Sequence, residues 1–119
     1  MMNRQLLGPE HPRLAKVLGN LARALAESGE PQAARPLLEE SLAIFRKAAF
    51  SAPSEDTASI LESLAHVERD LENLPKAESH LRELLAIREK TLSADDPATA
   101  RVRADLDDVL RRATEFAPR

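Results

Sequence analysis

Cysteine is absent from the chain, which removes disulfides, thiolate metal ligands and a cysteine nucleophile. Tryptophan and tyrosine are absent too. Phe45, Phe50 and Phe116 are the whole aromatic complement, too few for the stacking platforms on which single-stranded nucleic acids are held. No uncharged apolar stretch comes near the ~20 residues of a membrane span. The start, Met-Met-Asn-Arg-Gln-Leu-Leu, has no signal-peptide apolar core ahead of Gly8-Pro9. An excess of positive charge is missing as well: the net charge of −3 offers no general attraction to phosphate backbones or anionic lipid. These absences leave no nucleic-acid or membrane partner in view, and they make the cytoplasm the default location.

What is present is aliphatic, charged and repetitive. Hydrophobic residues make up 43% and charged residues 31% of 119 positions. A core must therefore be assembled from Leu, Ala, Val and Ile, each large aliphatic side chain contributing roughly 1.5–3 kcal/mol when fully buried. Leu-Gly-Asn-Leu-Ala at 18–22 returns as Leu-Glu-Ser-Leu-Ala at 61–65, and Leu-Leu-Glu-Glu-Ser-Leu-Ala-Ile at 37–44 returns as His-Leu-Arg-Glu-Leu-Leu-Ala-Ile at 80–87. Both pairs are offset by 43 residues, and a partial third copy (Pro97, Ala100, Val102, Leu106) follows the second at an offset of 42. A fixed period near forty residues is the signature of a helical solenoid, in which each unit buries its apolar face on its neighbours. The boundaries read as repeat one over about 8–50, repeat two over about 51–92 and a partial repeat three over about 93–117, all in one domain.

The 3.6-residue apolar period and its punctuation predict five helices. The first, about 12–28, has Leu14, Val17, Leu18, Leu21, Ala22 and Leu25 on one stripe; Gly29 closes it and Pro31 prevents its continuation. The second, about 31–49, buries Ala34, Leu37, Leu38, Ser41, Leu42 and Phe45. Ser54 is the expected N-cap of the third, about 55–72, whose core residues are Ala58, Ile60, Leu61, Leu64, Ala65 and Leu71. Leu74-Pro75 opens the fourth, which runs to about Leu92 with Ala77, Leu81, Leu84, Leu85 and Ile87 inside. Asp96 as cap with Pro97 just inside the helix gives the clearest start signal, that of the fifth helix, which ends near Glu115. Helices of this length joined by two or three residues must lie antiparallel.

The arrangement Leu7-Gly-Pro-Glu-His-Pro12-Arg-Leu-Ala15-Lys-Val-Leu18-Gly-Asn20-Leu-Ala22, then Gly29, then Ala34-Arg-Pro36-Leu-Leu, resembles a tetratricopeptide repeat, more narrowly the 42-residue variety of kinesin light chains and many bacterial proteins. The resemblance implies an all-α solenoid of antiparallel helix hairpins. In that family small residues let paired helices approach, and here Ala22, Gly29, Ala34 and Ser41, with Ala65 and Ala77 in the second copy, hold those places. Glu68 stands where a bulky residue is usual and Glu72 replaces the turn glycine, so the second unit is expected to pack more loosely than the first. The family's first helices line a groove that holds peptides. Carried over, the groove would show Lys16, Asn20, Arg23 and Glu27 from the first unit. The second would add Ser59, Glu62, Ser63, His66, Arg69 and Asp70, and the third Arg101, Asp105, Asp108 and Arg112. The lysine–asparagine clamp for C-terminal carboxylates is not carried over, because Gly19 and Arg23 occupy those places.

Chemistry-bearing residue types are present without the patterns that chemistry needs. His66 shares a helical face with Glu62 and Asp70; a zinc site needs three or four convergent ligands, and the plainer reading is a solvated face. His11 belongs to the His-Pro start of the repeat, and His80, in the place of Leu37, reads as a half-buried filler. The carboxylate pairs Glu39-Glu40, Asp95-Asp96 and Asp107-Asp108 diverge on helices or loops, whereas acid–base work needs an enclosed site that separates two pKa values. Gly8-Pro-Glu-His lacks the lysine and further glycines of a phosphate loop. The expectation is a non-catalytic scaffold with no cofactor and no metal, binding a protein or peptide through shape and charge. The alternatives are a homo-oligomerisation module, in which a homodimer covers apolar helix surface left by an open first edge and an incomplete third unit, or a regulatory repeat segment of a larger bacterial signalling protein.

Overall fold

A computed structural model of the chain describes residues 12–48, 55–93 and 95–116. His11, the Gly8-Pro-Glu-His segment, the Ser54 cap, the Phe50 linker and the side chain of Phe116 lie outside the described residues. Among the described residues five helices follow one another: α1 (Pro12–Glu27), α2 (Pro31–Ala48), α3 (Glu55–Asp70), α4 (Leu74–Thr91) and α5 (Pro97–Phe116). Each packs on the next, and α1 also meets α3, giving an elongated body of 53 × 32 × 22 Å. This is the antiparallel helix-hairpin solenoid expected from the repeat, and among the described residues there is no strand.

Turn chemistry explains the hairpins. At the end of α1 the Glu30 amide donates to the Leu25 carbonyl (2.9 Å) and the Gly29 amide to Ala26 (3.1 Å), a pair of bonds that needs a left-handed residue, here Gly29 at φ 87°. The end of α3 repeats the pattern, Asn73 to Glu68 (2.8 Å) and Glu72 to Arg69 (3.0 Å), but the left-handed position is Glu72 at φ 61°. A Cβ at Gly29 would touch nothing within 4 Å, so this glycine serves the turn and not, as expected, the close approach of helices. Asp96 caps α5 as predicted, its Oδ1 accepting from the Ala98 amide at 2.9 Å.

The core runs the length of the array through Leu14, Leu38, Leu61, Leu64, Leu81 and Leu84, all essentially inaccessible. Ala22, Ala34, Ala65 and Ala77 are buried between paired helices, and the buried Ser41 hydroxyl donates to the Ala15 carbonyl at 2.8 Å, tying α2 to α1. Two expectations about the core fail. Val17 and Leu21 are 41% and 50% exposed, since the described residues place no helix on that side of α1. Leu25, Leu37, Leu71 and Leu85 are only partly buried, while Ile44, Glu68 and Arg88 go inside.

Candidate partner-binding groove

The first helices of consecutive hairpins, α1 and α3, border a trough made of two adjoining hollows. One, of about 200 Å³, is lined by Lys16, Gly19, Asn20, Arg23, Phe45, Asp56, Ser59, Ile60 and Ser63. The other, of about 310 Å³, is lined by Ala22, Arg23, Ala26, Glu27, Leu38, Ser59, Glu62, Ser63, His66, Val67 and Asp70. Arg23, Ser59 and Ser63 belong to both, so the hollows are continuous. Helix geometry brings these side chains together. Residues 16, 20, 23 and 27 recur at steps of three and four along one face of α1, as do 59, 62, 63, 66 and 70 along α3. The buried side chains of Phe45, Ile60, Leu38 and Val67 lie beneath more exposed polar ones, so the hollows mix polar and apolar surface.

The trough is close because α1 lacks a side chain at one point. A Cβ at Gly19 would lie 2.8 Å from the Ile60 Cδ1 atom on α3. Gly19, Phe45 and Asp56 escaped the sequence reading as lining residues. A glycine in mid-helix, where it costs about 1 kcal/mol against alanine, was the available signal for the first of them.

Charge is unevenly spread. The smaller hollow has Lys16 and Arg23 against Asp56, with amide and hydroxyl groups between them. The larger has Glu27, Glu62 and Asp70 around His66. The Arg23 Nη2 atom donates to Asn20 Oδ1 at 3.2 Å, which holds the exposed guanidinium over the trough. His66 does not pair along its own helix. Its Nε2 faces Asp105 Oδ2 on α5 at 3.6 Å, and the same carboxylate lies 3.9 Å from the Arg69 guanidinium. Asp105 thus links α5 to α3.

Of the predicted site residues, Lys16, Asn20, Arg23, Glu27, Ser59, Glu62, Ser63 and His66 line the trough, as does Asp70. Arg69 and Asp105 flank it through the His66 contact. The others are not gathered with them: Arg101 is exposed on α5, Asp108 is bound to its neighbour Arg111 at 2.6 Å, and Arg112 pairs with Glu72 at 2.9 Å. A third hollow, of about 430 Å³ beside Glu72, Leu74, Pro75 and Ala113, contains no predicted site residue. Among the described residues no three His, Asp or Glu side chains converge as metal ligands, and no helix is long and apolar enough to cross a membrane.

The tetratricopeptide repeat family model matches residues 2–47 and 56–118. The chain belongs to the tetratricopeptide repeat family. The match is to the tetratricopeptide repeat at large and does not single out the kinesin-light-chain variety. No curated protein matches the chain. Tetratricopeptide repeats are a family of repeat scaffolds that generally mediate protein–protein interactions.

Proposed function

We propose that this tetratricopeptide domain is a non-catalytic scaffold that seats a polar peptide segment or partner helix in the trough between α1 and α3. The observation that carries the reading is the continuity of the two hollows through Arg23, Ser59 and Ser63. The apolar side chains of the hollows offer burial, and the hydroxyls and the guanidinium can bond a peptide backbone or carboxylate. Arg23 is a better donor than Arg69, which is partly engaged by Asp105.

Peptides selected from a display library against the full chain provide the test. Amide shift changes on binding are expected to map to α1 and α3. Arg23→Ala is expected to weaken the selected peptides by about tenfold or more, the loss of a charge-assisted hydrogen bond, with an unchanged circular dichroism spectrum. Peptides that map elsewhere, or that bind the Arg23→Ala chain equally well, would remove the trough from consideration.

A further inference from the structure

The three first helices can be superposed in register, and the comparison isolates one surface. Val17, Leu21 and Ala24 of α1 align with Ile60, Leu64 and Val67 of α3 and with Val102, Leu106 and Val109 of α5. On α3 these positions are 6%, 0% and 2% exposed, and on α5 1%, 7% and 0%. On α1, Val17 is 41% and Leu21 50% exposed, and Ala24 is exposed as well. The stripe is therefore a helix-packing face that has a cover in two copies and none among the described residues in the first.

The inner copies show what kind of cover it takes. Ile60 reaches the position of Gly19 and Val67 shares a hollow with Leu38 on α2, so the α3 stripe faces the preceding hairpin. The α5 stripe is buried where α5 packs on α4. The second helix of the preceding hairpin runs antiparallel to the stripe in each case. An antiparallel helix is also what a two-fold axis brings when it passes beside Leu21, because it lays α1 of a second copy against α1 of the first. Lys16 and Glu27 lie on one flank of the stripe, eleven positions apart, or about 16 Å along the helix. Their midpoint falls beside Leu21. The same axis sets Lys16 of each copy opposite Glu27 of the other. Both side chains are exposed, and neither has an ion-pair partner among the described residues.

We propose that the exposed stripe of α1 is the contact of a reversible homodimer, two copies crossing antiparallel at Leu21 with reciprocal Lys16–Glu27 pairs. Two sixteen-residue helices cannot bury the roughly 1,600 Å² of a standard stable interface, so association is weak and depends on concentration. Val17, Leu21 and Ala24 line neither hollow, whereas Lys16 and Glu27 belong to both surfaces, so Leu21→Glu is the change that tests the dimer apart from the trough.

Sedimentation velocity on the full chain between about 1 μM and about 1 mM tests it. The wild type is expected to shift from monomer to dimer across the range. Leu21→Glu is expected to raise the dissociation constant by roughly tenfold or more, with an unaltered circular dichroism spectrum because the side chain is half exposed in the monomer. Lys16→Glu and Glu27→Lys should each weaken association, and the double exchange should restore it. A wild type that stays monomeric throughout would overturn the proposal and assign the stripe to other residues of the same chain or to another protein. Association indifferent to Leu21→Glu, or a double exchange no better than either single change, would overturn it equally.

Discussion

The first and second hairpins share one backbone design and differ in what they bury. Where the first has Leu25, Gly29, Leu37 and Phe45, the second has Glu68, Glu72, His80 and Arg88. Glu68 is completely buried on α3; among the described residues its ion pair is with Arg35 on α2 at 3.6 Å, and neither carboxylate oxygen accepts a hydrogen bond. Arg88 is buried on α4 and reaches Glu55 with two bonds of 2.7 and 2.6 Å. The third copy returns to leucine at position 110, in the place of Glu68. The solenoid thus tolerates a charged layer in its middle because packing on both sides fixes the backbone independently of it. Burying the Glu68 carboxylate with no hydrogen bond costs more than a loose pairing at 3.6 Å with a partly exposed guanidinium returns.

The most forceful way to break the contrast is Glu68→Leu, which makes the second hairpin resemble its neighbours. It is expected to stabilise the domain by about 1–3 kcal/mol, because an apolar side chain replaces a buried carboxylate that accepts no hydrogen bond while the partly exposed Arg35 can turn to water, and to raise Tm by several degrees. Thermal and urea unfolding check this; a lower Tm would mean that the Arg35 contact outweighs the desolvation of the carboxylate. The turns supply a smaller effect. Gly29→Ala places a side chain at φ 87° and is expected to cost about 1 kcal/mol, while Glu72→Gly relieves φ 61° and should gain up to about 1 kcal/mol, less whatever the surface pair with Arg112 contributes. Equal and opposite shifts in urea midpoint would show that the two turns differ in residue and not in geometry.

His80 offers the finest test. Burial holds its pKa below the ordinary 6.5, with Arg46 and Lys76 pushing the same way and Glu68 and Glu83 opposing. The fold therefore favours the neutral imidazole. Its contribution to stability is complete above the unfolded value of 6.5 and is lost as pH falls below that towards the lower folded value. Relative to His80→Leu, the wild type should lose stability between about pH 7.5 and about pH 5.5, by a fraction of the total only. Parallel pH profiles for the two proteins would contradict this assignment.

Much of the architecture could be read from punctuation and period. Gly29, Pro31, Pro75 and the Asp96-Pro97 pair place helix ends within one or two residues of those observed, because each acts through local backbone chemistry. The α1 and α3 sides of the trough were legible because the family resemblance points to the first helices, and helical spacing then sets Lys16, Asn20, Arg23 and Glu27 on one face of α1. What failed depends on neighbours. Val17 and Leu21 belong to a broad apolar stripe, and no pattern within α1 tells which half of it meets another helix. Arg101 and Asp108 share the register of trough residues, yet Asp108 is taken up by Arg111 one turn away and Arg101 lines neither hollow. Glu68 was read as a change of size, since its carboxylate meets Arg35 only after the second and third helices come together.

Gly19 leaves a lasting tension in the molecule. An added methyl there would displace only the tip of Ile60, so the chain could accept alanine and gain about 1 kcal/mol in helix propensity. The same methyl would take up room where α1 and α3 stand nearest, narrowing the smaller hollow. Firmness of the first helix and breadth of the proposed docking channel therefore compete at a single atom, and under the proposed function a stabilised variant made at this site would be a poorer receptor.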